Sequence, residues 1–218
     1  MSVPEKRLPL EGVMVAVLAA DGVDRLELEA PVDAARRAGA SVLVVAPRAG
    51  VVRATQGGEE TDGVTADRAL ADVKPSDVRA LIVPGGAAAR TLRGSADAVG
   101  LVRAVMALDR PVAAIAEGAG LLVAADAVRG RTLTADPSLQ TEIRDAGGTW
   151  VDKPAVVDQR LLTSRSADDL RAFCAKLVDV LATTETNAIV DEASQESFPA
   201  SDAPAWGPSA IGKSGAGG

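Results

Sequence analysis

The chain has 218 residues with a formal net charge of −7, 47% apolar residues, only 2% aromatic residues, one cysteine, no histidine and no tyrosine. Without histidine there is no Ser-His-Asp or Cys-His nucleophile pair, no imidazole proton shuttle and no His-bearing metal site. One cysteine cannot form an intrachain disulfide, so acid–base chemistry falls to carboxylates, Lys or water, and a reducing cytoplasmic setting is expected.

Residues 1–11 are expected to be an N-terminal extension. Glu5, Lys6 and Arg7 interrupt any apolar stretch of signal-peptide length. The longest apolar run, Val13 to Ala20, is too short to span a membrane. Continuous apolar runs at Val13–Ala19, Ser41–Ala46, Ala80–Val83 and Val112–Ile115 predict strands buried on both faces. Amphipathic stretches at 24–38 and 95–108 alternate with them, which is the βαβ rhythm of a doubly wound sheet.

Gly118-Ala119-Gly120 follows the strand at 112–115 and half resembles a dinucleotide loop, but Val123 occupies the third glycine position and Glu117 would face a pyrophosphate. The segment therefore reads as a sharp strand-to-helix turn, and no cofactor is expected. Such a turn displays one side chain at the crevice beyond the carboxyl ends of the strands. Here that residue is Ala116, which cannot act as a nucleophile.

Further along, Asp136-Pro137 predicts an N-cap with proline at the first helical position, and Gly147 closes that helix. A last helix is predicted from Ser166, with Asp169 completing a capping box. Its positions Leu170, Phe173, Cys174, Leu177, Val178 and Leu181 form one apolar stripe, which makes Cys174 a core thiol rather than a reactive one.

Composition changes at residue 183. Residues 183–218 hold Glu185, Asp191, Glu192, Glu196 and Asp202 against Lys213 and are rich in Ser, Ala, Pro and Gly. They are expected to form a disordered acidic tail. Gly207 to Ser214 matches the P-loop pattern, but no strand pattern precedes it and too few residues follow to form its helix. Phe198 and Trp206, set among prolines in residues 196–206, suit a segment that docks in a groove of a protein partner. The acidic chain, with no basic stripe, is not expected to bind nucleic acid.

Four segments carry a family resemblance: A-D-G-V-D-R-L-E-L-E-A-P at 20–31, L-I-V-P-G-G at 81–86, V-A-A-I-A-E-G-A at 112–119, and Leu133 through T-S-R-S-A-D-D-L at 163–170. Together they resemble the PfpI-type intracellular proteases of the DJ-1/PfpI superfamily, which are related to type 1 glutamine amidotransferase domains. The resemblance implies a flavodoxin-like α/β sandwich over residues 12–182 that self-associates. It places Ala116 where that family has its nucleophilic cysteine, Glu117 where it has the adjacent histidine, Asp24 at the acid near the thiol, and Arg90 at a further acid after Gly85 and Gly86. Arg90 and Glu117 reverse the family's polarity while remaining complementary, so they are expected to pair, between subunits in particular. The resulting expectation is a non-catalytic binding or assembly protein, in a stress-related role, whose tail recruits a partner. The alternative is a hydrolase, deglycase or glyoxalase-type enzyme working through the carboxylates of Asp24 and Glu117.

Overall fold

The computed structural model describes residues 8–196, with side chains from 8 to 183. The elements in chain order are β1 Met14–Leu18, β2 Val23–Asp24, α1 Arg25–Arg37, β3 Ser41–Ala46, β4 Gly50–Gln56, β5 Glu59–Ala66, β6 Arg68–Ala69, β7 Ala80–Val83, α2 Ala88–Arg93, α3 Ala96–Ala107, β8 Val112–Ile115, α4 Ala119–Ala124, β9 Thr132–Leu133, α5 Gln140–Asp145, β10 Thr149–Trp150, β11 Ala155–Asp158, β12 Leu161–Ser164 and α6 Leu170–Glu196. Seven strands form the main sheet in the order β11-β12-β8-β7-β1-β3-β6. All its pairs are parallel except β11 with β12.

The apolar runs become the middle of this sheet. β7 and β8 are buried at every position, which only a sheet covered on both faces permits. Helices α1 and α6 pack together over one face, and α2, α3 and α4 pack together over the other. The flavodoxin-like three-layer sandwich is therefore the observed fold. The chain turns outward in both directions from β1, to β3 on one side and to β7 on the other, and a crevice opens at such a switch point.

A separate sheet, β2-β4-β5, has no apolar run in the sequence to announce it. Its β4–β5 hairpin turns through Gly57 and Gly58 at φ +60° and +86°, with Gln56 opposite Glu59. Two successive positive φ values in a two-residue loop match the right-handed twist of a hairpin, and glycine adopts them freely. The hairpin is fastened by Asp21, which accepts the Arg53 backbone N–H at 2.9 Å and binds its guanidinium at 2.9 and 3.1 Å.

Of the two predicted helix caps, at Asp136 and Ser166, the first forms, and the structure adds a cap at Asp24 that the sequence reading does not include. Asp24 accepts the Glu27 N–H at 3.1 Å to open α1, and Asp136 accepts the Ser138 N–H at 2.9 Å ahead of α5. The capping box at Ser166 does not form. Ser166 makes no side-chain cap: the Asp169 N–H donates to the Ser166 carbonyl at 3.1 Å, and the Asp169 carboxylate accepts from Arg165 Nε at 2.9 Å.

The stripe on α6 faces the core, with Phe173, Leu177 and Leu181 buried and Leu170 and Cys174 packed against them. Burial raises the Cys174 thiol above its ordinary value. The helix continues to Glu196, so the backbone of residues 183–196 is helical where a disordered tail was expected. Nothing stops it earlier, since no Gly or Pro occurs between Leu170 and Glu196. Phe198, Trp206 and the P-loop-like stretch at 207–214 lie outside the described residues. Among the described residues, no helix is long and apolar enough to cross a membrane.

Candidate functional site

Strand β8 ends at the sharp turn expected from the sequence. Ala116 has φ +48°, a left-handed conformation that costs a residue bearing a Cβ on the order of 1–2 kcal/mol. It is 4% exposed and presents a methyl group at the floor of a crevice of about 400 Å³. Asp24, Glu27, Arg90, Glu117 and Asp136 line that crevice, with Thr55 and Gly58 reaching it from the β4–β5 hairpin.

The turn after β7 builds the opposite lip. Gly86 has φ +79°, and a Cβ there would come within 2.6 Å of the Gly22 carbonyl oxygen and 2.7 Å of the Asp24 nitrogen. Glycine therefore lets this turn lie against the start of α1. Its neighbour Gly85 donates its N–H to Glu27 Oε2 at 2.7 Å, and Gly86 donates to Glu117 Oε2 at 3.2 Å. A Cβ built on Gly85 would sit 2.6 Å from Glu27 Oε2, 2.7 Å from Glu117 Oε2 and 3.1 Å from the Ala116 methyl. Two carboxylates thus converge beside the elbow.

Glu27 was not singled out by sequence reasoning, which placed the family's acid at Asp24. The structure puts Glu27 beside Ala116 and uses Asp24 to cap the helix that carries it. Glu27 is only 4% exposed, and its pKa is raised from 4.5 to about 8. Burial is the largest cause, and the charges of Asp24, Glu117 and Asp136 add to it against the opposing Gly85 hydrogen bond. Glu27 is therefore largely a neutral acid at pH 7. Because Gly85 donates to Oε2, the proton belongs on Oε1.

Arg90 lies on the exposed side of α2 and lines the same crevice as Glu117. The expected pair does not form within the chain, because the Glu117 oxygen turns to the Gly86 amide instead. Among the described residues no group of three Asp, Glu, Cys or His side chains is placed to hold a metal ion.

Known proteins agree with this architecture. The chain is 37% identical over 160 residues to protein/nucleic acid deglycase 2 of Escherichia coli K12, covering 73% of this chain and 92% of that protein. Drosophila melanogaster DJ-1beta superimposes with a TM-score of 0.72 at 26% identity, covering 84% of this chain and 97% of that one. A two-domain Anabaena variabilis protein with DJ-1/ThiJ/PfpI-like and ferritin-like domains gives a TM-score of 0.73 at 27% identity over 78% of this chain, which spans 48% of that longer protein. The DJ-1/PfpI family model matches residues 13–180, and the chain accordingly belongs to the DJ-1/PfpI family.

Proposed function

We propose that the chain is a thiol-independent enzyme of the deglycase and glyoxalase type, in which Glu27 and Glu117 carry out acid–base chemistry on a small 2-oxo aldehyde or its adducts. The observation that carries this reading is the buried neutral Glu27 facing Glu117 at the elbow, two carboxyl groups whose environments differ sharply. A buried carboxyl that keeps its proton can donate it, and a second carboxyl beside it can accept one. The E. coli relative named as a deglycase supports the reaction class.

For a hydrated 2-oxo aldehyde, Glu117 would remove the proton from the hydrated carbon while Glu27 Oε1 protonates the neighbouring carbonyl oxygen. The resulting enol takes a proton back at the second carbon and releases one from oxygen. The product is a 2-hydroxy acid with the same atoms as the hydrate, and no external oxidant or reductant enters. Asp24 would act through Glu27, holding its helix and discouraging its ionisation.

Conversion of methylglyoxal to lactate, followed by proton NMR, tests the proposal. Wild-type protein should turn the substrate over after iodoacetamide treatment as well as before, and Glu27→Gln should lower kcat at least a hundredfold. Equal rates in wild type and Glu27→Gln would reject it.

The Ala116 methyl group favours a second reading, a binding or assembly protein on the same scaffold. Self-association, contact of Arg90 with Glu117 across subunits, and recruitment of a protein through residues 196–206 belong to that reading, as does the stress-related role in the cytoplasm. A crevice that binds carbonyl compounds without converting them would support it.

A further inference from the structure

We propose that Arg90 is the specificity-determining residue of the crevice and receives the carboxylate of a small 2-hydroxy or 2-oxo acid. The chemical class of this ligand rests on the acid–base reading above, while its capture by Arg90 does not require turnover.

The acidic side chains around the crevice already have donors. Asp24 accepts the Glu27 N–H at 3.1 Å, Asp136 accepts the Ser138 N–H at 2.9 Å, and Glu117 accepts the Gly86 N–H at 3.2 Å. Glu27 takes the Gly85 N–H at 2.7 Å. Arg90 is the contrary case. It lines the crevice, yet among the described residues its guanidinium has no hydrogen-bond acceptor or ion-pair partner. Arg93, one turn further along α2, shows what a satisfied guanidinium looks like here, being held by both oxygens of Glu142.

Arg90 is also well placed. Its helix is fixed to the loop before β2 by Ala88 N–H to Gly22 O at 3.2 Å and to the turn before it by Ala89 N–H to Gly86 O at 3.1 Å. The guanidinium base therefore starts beside the lip whose amides hold Glu27 and Glu117. A planar fork of donors matches a carboxylate in two parallel hydrogen bonds, which an ammonium does not. A ligand with its carboxylate at Arg90 and its hydroxyl or carbonyl toward Glu27 would span the crevice, whose 400 Å³ holds a short-chain acid together with water. The 2-hydroxy acid formed by the proposed reaction has this arrangement of groups.

Calorimetric titration of the full chain with lactate, lactamide and 1-amino-2-propanol separates the charges on one carbon skeleton. Wild type is expected to bind lactate about tenfold more tightly than lactamide, the scale of one charge-assisted contact partly open to water. Arg90→Gln should equalise the two, and Arg90→Lys should restore part of the preference. The inference is overturned if wild type binds none of the three, favours the amine, fails to distinguish lactate from lactamide, or keeps its preference in Arg90→Gln. Arg90-dependent lactate binding without methylglyoxal turnover would sink the enzymatic reading alone, and turnover without that preference would sink this one alone.

Discussion

Glu27 and Glu117 come from opposite halves of the domain, yet each places Oε2 within 2.7 Å of the position a Cβ on Gly85 would occupy. Two backbone amides, of Gly85 and Gly86, hold them there. The absence of both cysteine and histidine from the elbow thus leaves a site with ionisable groups, carboxyls of which one is kept neutral by its surroundings.

That neutrality should be visible in stability. In the unfolded chain Glu27 gives up its proton near its ordinary 4.5, whereas the folded chain holds it to about 8. Between those values the native state binds more protons than the unfolded state, so this contribution is fully present below pH 4.5 and declines until about pH 8. Glu27→Gln cannot ionise. In urea unfolding it should be more stable than wild type by about 2–4 kcal/mol at pH 9, with the difference shrinking to near zero at pH 5. A constant difference across pH would contradict the assignment.

Ala116 offers a test of the elbow itself. Its φ of +48° is strained for any residue with a Cβ. Ala116→Gly should therefore stabilise the fold by about 0.5–1 kcal/mol in thermal or urea unfolding, the reverse of the usual cost of adding glycine. Destabilisation would mean that the methyl contact outweighs the backbone strain.

Gly86→Ala should act in the opposite sense. The added Cβ meets Gly22 O at 2.6 Å with φ at +79°, so the turn must move away from α1. A loss of about 2–4 kcal/mol is expected, on the scale of strain combined with overpacking. Methylglyoxal turnover should fall with it, because Gly86 also holds Glu117.

Much of the scaffold was legible because its physics is local. The runs at Ala80–Val83 and Val112–Ile115 became β7 and β8 at those same residues, since strands covered on both faces carry unbroken apolar sequence. The β4–β5 hairpin lacked such a run because most of its side chains meet water. Its signal was the Gly57-Gly58 pair between segments of strand length. Glu27 was overlooked for a related reason. It shares a helix face with the buried Pro31 and Ala35, and a carboxylate at that spacing on a core face marks a built environment rather than a solvated charge. The pairing of Arg165 with Asp169 and Asp152 could not be read from spacing alone, because a capping box at Ser166 uses the same Asp169.

That cluster carries its own expectation. Asp169 is nearly buried, and both of its oxygens bind Arg165. Arg165→Met would leave the carboxylate with no cation at the start of α6. A loss of about 2–4 kcal/mol in urea unfolding is expected at pH 7, and Asp169→Asn in the same background should recover part of it.

The central claim is that a neutral Glu27 donates a proton during turnover without a thiol. The pH dependence of kcat/KM for methylglyoxal in iodoacetamide-treated protein tests it most directly. Activity should hold through neutral pH and fall tenfold per unit above about 8, as Glu27 ionises, and Glu27→Gln should lack both the activity and this limb. A rate that keeps rising with pH through 9, or one that Glu27→Gln leaves unchanged, would contradict the account.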